Sequence, residues 1–329
     1  MQYRRLGKTD FNVSEVSLGT WQVGGKWGAP FDDKLADQII NTAIDHGVNF
    51  IDTADVYSEG LSEKAVARVV SSRPEEVFIA TKCGRRTQPH LPEEYSPERL
   101  IGFVEDSLKN MGLETIDLIQ FHCPPSEIYR SDEYFETFDR LKDQGKIRNL
   151  GVSVEKVEEA LMAIDYPNVN SVQIIFNMFR LKPAELFFKK AADKDVGIIV
   201  RVPLASGLLT GKFGTETHFE KGDHRNFNRH GEAFDKGETF SGVDYETGLK
   251  AVDEISNLFS DRNEPLAEIA LRWILMFPEV STVIAGASRP EQAQQNVGAS
   301  GIPEITHRKM QKVAEIYENF FKAEVHPEW

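Results

Sequence analysis

Four side chains that could together transfer a proton are spread over the first 122 residues of this 329-residue sequence. They are the carboxylate of Asp52, the phenol of Tyr57, the ammonium of Lys82 and the imidazole of His122. A phenol has a pKa of about 10, so it gives up its proton near neutral pH only where a cation stabilises the phenolate. A lysine can supply that cation, and an aspartate beside it keeps the ammonium charged when both are buried. Because a histidine can hydrogen-bond the same reacting oxygen, the set predicts a proton donor for an oxygen that gains negative charge.

Each of the four residues also has an ordinary structural explanation. A strand-end aspartate often caps a helix, a tyrosine often packs, a lysine is often solvated, and a histidine is often a satisfied side chain. Their occurrence together, each at the end of a short apolar run, favours the functional interpretation. Asp55 lies between Asp52 and Tyr57, and we expect it to serve the turn rather than the chemistry. No metal site is predicted, because the eight histidines show no metal-ligand spacing.

Short runs of β-branched or aromatic residues recur along the chain and are apolar on both faces, as is typical of a parallel sheet covered by helices. The runs lie at 15–21, 49–56, 77–83, 116–123, 147–154, 171–177, 197–204 and 281–288. Segments with helical spacing, such as 32–47 and 96–112, separate most of them. An open doubly wound sheet alternates in the same way, but its GxGxxG fingerprint is absent. The pattern therefore predicts an α/β fold with one closed, eight-stranded parallel β/α barrel, a single domain over residues 1–329.

Two segments depart from this alternation. Residues 3–14 hold two short runs around Gly-Lys-Thr-Asp and predict a β-hairpin that closes the bottom of the barrel. A long loop segment follows the seventh strand, at 205–280, with a polar, glycine-rich stretch and then two helices at 246–260 and 265–276. An insertion of this length inside a compact domain is usually functional, so we expect it to cover a ligand.

Composition limits the partners of the protein. The formal net charge of −14 argues against binding to nucleic acid or to an anionic membrane surface. Two cysteines are too few for a disulfide framework, which suits a reducing compartment. No run of 18 apolar residues and no signal-like N-terminus is present, so we expect a cytoplasmic protein. A small molecule is the expected partner, and the sequence does not specify an oligomeric state.

Functional side chains of a β/α barrel lie at the C-terminal ends of its strands and in the loops that follow. The residues at these predicted ends are Thr20, Trp21, Asp52, Tyr57, Lys82, His122, Ser153, Gln173, Asn177, Arg201 and 286–289. The four candidates for proton transfer therefore point at one mouth. We expect Trp21, Trp27 and the loop at 213–242 to shape the substrate entrance, with Tyr57 and His122 at its base.

Motifs over almost the whole chain resemble those of the aldo-keto reductase family, in the branch that includes potassium-channel β subunits. They are LGTWQVGG (18–25), FIDTADVYSEGLSE (50–63), IATKCG (79–84), IDLIQFHCP (116–124), KIRNLGVSV (146–154), PLASGLLTGKF (203–213), GDHRN (222–226) and VIAGASRPEQAQQN (283–296). The resemblance implies hydride transfer between NADPH, with NADH as an alternative, and an aldehyde or ketone. Tyr57 would then be the general acid, Lys82 and Asp52 the partners that lower its pKa, and His122 the residue that orients the carbonyl. The channel subunits supply a second hypothesis, a cofactor-sensing binding protein with little turnover.

The same resemblance, together with the strand-end positions, assigns a cofactor site. Its residues would be Gly19, Thr20, Trp21, Asp52, Ser153, Gln173, Arg201, Val202, Pro203, Leu204, Ser206, Lys212, Arg225, Gly286, Ser288, Arg289, Gln292, Gln295 and Asn296. For the adenosine end the residues alone agree with this assignment. A glycine-containing turn into a helix N-terminus is an anion site, and an arginine such as Arg289 suits the 2′-phosphate of NADPH.

Two positions depart from the family pattern. Val154 stands where the family usually has an asparagine at the end of the fifth strand, which removes an amide expected near the nicotinamide. Arg201 stands where an aromatic residue often stacks on the nicotinamide. Because a guanidinium is planar and can stack on an aromatic ring, we predict that Arg201 lines or stacks on the nicotinamide pocket.

Overall fold

The computed structural model describes residues 1–25 and 29–329. A two-stranded antiparallel hairpin, β1 (Tyr3–Arg5) and β2 (Asn12–Ser14), precedes a closed parallel barrel. The barrel strands are β3 (Val16–Gly19), β4 (Phe50–Asp52), β5 (Phe78–Cys83), β6 (Ile116–His122), β7 (Ile147–Ser153), β8 (Val169–Ile175), β9 (Gly197–Arg201) and β10 (Val280–Gly286). They follow one another around the barrel in sequence order, and β10 pairs with β3 to close it. The predicted eight-stranded β/α barrel is confirmed.

Helices cover the outside of the barrel. They are α1 (Asp33–Asp45), α2 (Leu61–Ser71), α3 (Pro97–Met111), α4 (Asp132–Asp143), α5 (Val157–Ala163), α6 (Lys182–Leu186), α7 (Phe188–Asp193), α8 (His224–Phe227), α9 (Tyr245–Leu258), α10 (Leu266–Leu275), α11 (Pro290–Gly298), α12 (His307–Phe320) and α13 (Lys322–Val325). Local signals set their ends, as in α3, where the Ser96 side chain caps the first turn and Gly112 ends the helix with a φ of 67°. None of the described helices has the length and apolar character needed to cross a bilayer.

The N-terminal hairpin closes the bottom of the barrel, as its sequence predicted. Leu6 and Phe11 are buried against Phe50 and Phe78, the first residues of β4 and β5. The Phe11 and Phe78 rings stack with centroids 4.2 Å apart. Burying a side chain of this size stabilises the fold by about 1.5–3 kcal/mol. The hairpin therefore seals the end of the barrel opposite to the one where the proposed site lies.

The long segment between β9 and α9 packs against the top of the barrel and is held from below by Trp329. The Trp329 ring is 4% exposed, and its indole Nε1 donates to the Asp235 carboxylate at 2.9 Å. The guanidinium of Arg180 lies over the same ring, 4.4 Å from its centroid. Gly242 brings the backbone so close that an added Cβ would lie 2.3 Å from the Trp329 ring. The segment thus has a fixed position over the mouth.

Candidate active site

Asp52, Tyr57 and Lys82 form one hydrogen-bonded group at the mouth. Asp52 ends β4 and Lys82 lies next to the end of β5, and both side chains are 1% exposed. The Lys82 ammonium forms an ion pair with the Asp52 carboxylate and donates to the Thr53 carbonyl at 2.8 Å. Its third contact is the Tyr57 hydroxyl, 3.1 Å away. Asp52, Lys82 and Tyr57 therefore lie together, as expected from the sequence.

The second oxygen of the Asp52 carboxylate is also fully engaged. It accepts hydrogen bonds from the Gln120 and Gln173 side-chain amides, both at 2.8 Å. Gln120 was not predicted from the sequence, because it lies inside β6, two residues before His122 and on the same face of the strand. With an ammonium on one oxygen and two amides on the other, Asp52 is held as a buried anion.

For both Lys82 and Tyr57, burial and the neighbouring charges shift the pKa in opposite directions. Burial alone would lower the pKa of Lys82, but the Asp52 carboxylate and the Tyr57 hydroxyl outweigh it and raise the pKa of Lys82 above its ordinary value. Burial raises the pKa of Tyr57, and the Lys82 ammonium opposes this effect without overcoming it. Tyr57 therefore keeps its proton at neutral pH, beside a cation that can stabilise the phenolate once the proton leaves.

His122 ends β6 and lies edge-on to Tyr57, with ring centroids 6.1 Å apart. Burial is the main reason that its pKa lies well below the ordinary value, and the cations Lys82, Arg85 and Arg201 lower it further. The imidazole is therefore neutral at physiological pH. Its Nδ1 is buried without a hydrogen-bond partner among the described residues. The ring lines the pocket beside Tyr57, so a neutral imidazole is in place to hydrogen-bond a bound oxygen.

A short 3₁₀ turn, Tyr57–Gly60, carries the phenol back over the mouth. Ser58 and Glu59 have φ values of 48° and 55°, a left-handed conformation that costs a non-glycine residue about 1–2 kcal/mol. Asp55 is buried before the turn, and its carboxyl has no side-chain hydrogen-bond partner among the described residues. Burial raises the pKa of this carboxyl to about 7.

A pocket of about 630 Å³ opens beside the tyrosine and holds most of the residues assigned to the cofactor. Those that line it are Gly19, Thr20, Trp21, Asp52, Ser153, Gln173, Arg201, Val202, Pro203, Leu204, Ser206, Lys212, Arg225, Gly286, Arg289 and Gln292. Ser288, Gln295 and Asn296 do not line it. Ser288 donates to the Gln292 side chain at 3.0 Å and Asn296 to the Gly286 carbonyl at 3.1 Å, so both shape the turn before α11. Gln295 lies beside the Glu268 carboxylate instead.

Arg201 lines the pocket with its charge already balanced. Its Nη1 forms an ion pair with Glu238 at 2.6 Å, and its Nη2 donates to the Val154 carbonyl at 2.9 Å. Burial opposes the charged form, but Glu238 and other nearby acids hold the pKa of Arg201 above its ordinary value. Glu238 was not predicted from the sequence, because it lies in the long segment, where no periodic pattern points to it.

The thiol of Cys123 and the carboxylates of Glu155 and Glu238 lie within 4.8 Å of one another, a spacing that could hold a metal ion. The Arg201 guanidinium occupies this space, since it contacts the Cys123 sulfur at 3.6 Å as well as Glu238. Burial raises the pKa of the Cys123 thiol to about 12, so the thiolate that a metal requires is disfavoured. The cluster is an ion-pair network rather than a metal centre.

Arg225 also lines the pocket, where it is paired within its own loop. Its Nε and Nη2 donate to the two oxygens of Asp223 at 2.9 and 2.6 Å. The guanidinium lies 4.6 Å from the centroid of the Phe219 ring. Lys212 and Arg289 line the same pocket. The charge of Arg289 is more accessible than that of Arg225, because its side chain is 57% exposed and its ion pair with Glu291 is 3.9 Å long.

Aromatic side chains form the substrate side of the pocket. The Trp21 ring lies 6.3 Å from Tyr57, 5.0 Å from His224 and 5.9 Å from Phe234, measured between centroids. Trp27, which the sequence assigned to this entrance, lies outside the described residues. His224 and Phe234 were not assigned because they belong to the long segment. Arg85 was also missed, although its position just after β5 could have identified it.

The profile of the aldo/keto reductase family matches residues 15–318, and the chain belongs to this family. It is 29% identical to aldo-keto reductase YhdN of Bacillus subtilis over 100% of this chain and 97% of the relative. It is 29% identical to an NADH-specific methylglyoxal reductase of Escherichia coli over 90% of this chain and 93% of the relative. A probable voltage-gated potassium channel subunit beta of Arabidopsis thaliana is 27% identical, with 97% of each chain covered.

Solved structures agree with this membership. An aldo-keto reductase of Bacillus halodurans in its holo form matches with a TM-score of 0.78 and 26% identity over 99% of each chain. A glycerol dehydrogenase of Gluconobacter oxydans matches with a TM-score of 0.77 and 30% identity over 97% of this chain and 96% of that one. The chain is therefore an oxidoreductase of a family that typically uses nicotinamide cofactors.

Proposed function

We propose that this protein reduces an aldehyde or ketone to an alcohol with NADPH, and that Tyr57 is the general acid. The observation that carries the proposal is the 3.1 Å contact between the Tyr57 hydroxyl and the Lys82 ammonium, itself paired with buried Asp52. When bound, the nicotinamide cofactor supplies the hydride that reaches the carbonyl carbon. Tyr57 donates its proton to the carbonyl oxygen as that oxygen gains charge.

The other residues of the site lower the cost of this proton transfer. Lys82 stabilises the phenolate that remains on Tyr57, and Asp52 prevents burial from neutralising Lys82. The neutral His122 ring lines the pocket beside Tyr57, where it can hydrogen-bond the reacting oxygen and fix its direction. In the reverse direction the same phenolate takes the proton of an alcohol, so the arrangement supports either direction of the reaction.

The two ends of the pocket suit the two ends of a dinucleotide, its nicotinamide and its adenosine phosphate. Ser153, Gln173 and Arg201 line the end nearest Tyr57, where a nicotinamide ring would lie. Lys212 and Arg289 line the other end, where Arg289 precedes the N-terminus of α11. A helix N-terminus and the exposed Arg289 favour the 2′-phosphate, which NADPH carries and NADH lacks, and this supports NADPH. NADH remains an alternative cofactor, since a relative from Escherichia coli is named as NADH-specific.

The second candidate function is a cofactor-sensing binding protein with little turnover. The observation in its favour is the 27% identity to a plant protein named as a probable potassium channel β subunit. The complete proton-donor group favours the enzyme, because a sensor needs cofactor contacts but no tuned acid. We propose further that the protein acts in the cytoplasm on small molecules, since two cysteines suit a reducing compartment and the net charge of −14 argues against nucleic acid or an anionic membrane as partner.

The two functions differ in turnover. The purified protein should be assayed with a panel of aldehydes, ketones and alcohols, with NADPH and with NADH, by the absorbance of the reduced nicotinamide. We expect steady-state oxidation of NADPH with several carbonyl compounds and a lower kcat/KM with NADH. Tight NADPH binding without turnover on any member of the panel would contradict the reductase and support the sensor.

A further inference from the structure

Arg85 lies at the mouth of the pocket, two residues after the end of β5, and lines the same cavity as Tyr57 and His122. Around the closed barrel β5 is four strands from β9 in either direction, so the two strands face each other across the mouth. The residues expected to hold the cofactor phosphates, among them Lys212 and Arg289, follow β9 and β10. Arg85 therefore lies on the substrate side of the pocket, away from the phosphate end.

The Arg85 guanidinium is only partly used by the protein. Its Nη1 donates to Glu155 at 3.2 Å, whereas Nε and Nη2 have no acceptor within the part of the chain that the structure describes. The side chain is 22% exposed, on the wall of the cavity. Arg201, in contrast, has both ends of its fork occupied, by Glu238 and by the Val154 carbonyl. Arg85 thus keeps donors that a bound molecule can reach.

The partner of Arg85 is also a weak anion. Burial and the neighbouring carboxylates Asp235 and Glu238 raise the pKa of Glu155 to about 7, against the opposing effect of Arg85 and Arg201. Near neutral pH a large share of the Glu155 side chains is therefore protonated. A protonated Glu155 no longer balances the positive charge of Arg85, which lies where a substrate enters.

A guanidinium fork matches a carboxylate with two parallel hydrogen bonds, and such charge-assisted bonds are about twice as strong as neutral ones. We propose that Arg85 binds a carboxylate of the substrate, so that the carbonyl compounds reduced best carry a carboxylate remote from the reacting carbonyl. This inference rests on the proposed reductase function and names its substrate class. Arg85 then determines specificity by holding one end of the substrate while Tyr57 and His122 hold the carbonyl oxygen.

The test compares 4-formylbenzoate with its methyl ester, which share an aldehyde and an aromatic ring and differ in one negative charge. With NADPH, the parent protein should show a higher kcat/KM for 4-formylbenzoate than for the ester. The Arg85→Gln variant should lose about tenfold or more of kcat/KM for 4-formylbenzoate and keep that for the ester within about twofold. Retained turnover of the ester shows that the variant is folded and that its proton donor works. Arg85→Lys should keep part of the preference, because it keeps the charge without the fork.

Arg86→Gln is the matched control. Arg86 is the next residue in the chain, its side chain is 40% exposed, and it pairs with Asp106 at 2.8 Å on the surface. This variant should leave kcat/KM unchanged for both compounds. A parent protein that prefers the ester, or an Arg85→Gln variant that loses the same factor on both compounds, would overturn the inference alone. Absence of turnover on both compounds, in a protein that reduces other carbonyl compounds, would also overturn the inference alone, whereas absence of turnover on every carbonyl compound tested would overturn the reductase function and this inference together.

Discussion

Glu238 reaches from the long segment between β9 and α9 and forms a 2.6 Å ion pair with Arg201 at the end of β9. The pair joins the segment over the mouth to the barrel beneath it. It also neutralises a guanidinium that would otherwise place an unbalanced positive charge in the end of the pocket that we assign to the nicotinamide. Arg201 can therefore stand where the family often has an aromatic side chain without opposing the positively charged ring of an oxidised cofactor.

The Glu238→Gln variant removes this compensation. Because the oxidised nicotinamide is positively charged and the reduced one is neutral, the variant should bind NADP⁺ more weakly and NADPH almost as well as the parent. The ratio of the two Kd values should rise about tenfold, the scale of one close charge pair in a partly buried site. Titrations followed by tryptophan fluorescence give both Kd values. A double variant, Arg201→Gln with Glu238→Gln, should restore the parent ratio of the two Kd values. If Glu238→Gln alone kept the parent ratio, the proposed role of the ion pair would be disproved.

Lys82→Met leaves Asp52 buried without its cation. We expect a loss of about 3–5 kcal/mol of unfolding free energy, because an uncompensated buried charge is costly. Turnover should fall by about a hundredfold or more, since the phenolate of Tyr57 loses its stabilising cation. Urea denaturation and steady-state assays measure the two effects. Adding Asp52→Asn to Lys82→Met should recover most of the stability but none of the turnover, and recovery of turnover would show that Lys82 acts only through folding.

Asp55 gives a pH dependence of stability whose sign follows from its pKa. Burial raises the pKa of this carboxyl to about 7 in the folded protein, whereas an aspartate in the unfolded chain has a pKa of about 4. Between these values the folded state binds the extra proton, so stability falls as pH rises through this window and stays lowered above pH 7. Asp55→Asn should therefore stabilise the protein at pH 8, by up to about 4 kcal/mol, and change little at pH 4.

Urea denaturation at both pH values measures this effect of Asp55. Asp10→Asn is a suitable control, because Asp10 is exposed on the hairpin and should show no such difference. Equal effects of Asp55→Asn at pH 4 and pH 8 would contradict the account of the buried carboxyl.

Two glycines of the long segment test how Trp329 holds it. Gly242 has a φ of 81°, and an added Cβ would lie 2.3 Å from the Trp329 ring. Gly242→Ala should cost about 2 kcal/mol or more, from backbone strain and overpacking, and should speed proteolytic cleavage at 213–242. Gly214→Ala is the control, because an added Cβ there meets no atom within 4 Å. Equal cleavage rates in the two variants would show that Trp329 does not fix the segment.

Local sequence signals were sufficient to predict much of the fold. The eight apolar runs match β3 to β10, because a strand buried on both faces is continuously apolar and its limits are set by turn residues. Helix limits followed capping residues such as Asp32, Ser96 and Gly112. The segment after β8 forms two short helices, α6 and α7, which meet at Phe187, whose side chain is fully buried. The helix α12 was not predicted.

The candidate site was predictable only where strand ends define it. Asp52, Lys82 and His122 lie at or next to the ends of consecutive strands, a position that a barrel makes functional. Gln120 and Glu238 complete the network through contacts between residues 68 and 37 positions apart in sequence, to Asp52 and Arg201 respectively. Such pairings depend on how distant segments meet in the folded chain. No local pattern in one sequence contains that information.

The assignment of Tyr57 as proton donor is tested most directly by Tyr57→Phe, which removes one hydroxyl and keeps the ring. The variant should bind NADPH with the parent Kd, measured by quenching of tryptophan fluorescence, because the hydroxyl contacts Lys82 rather than the residues assigned to the cofactor phosphates. Its kcat for a carbonyl substrate of the parent protein should fall by about a hundredfold to ten-thousandfold. A variant that binds NADPH and turns over at the parent rate would contradict the account.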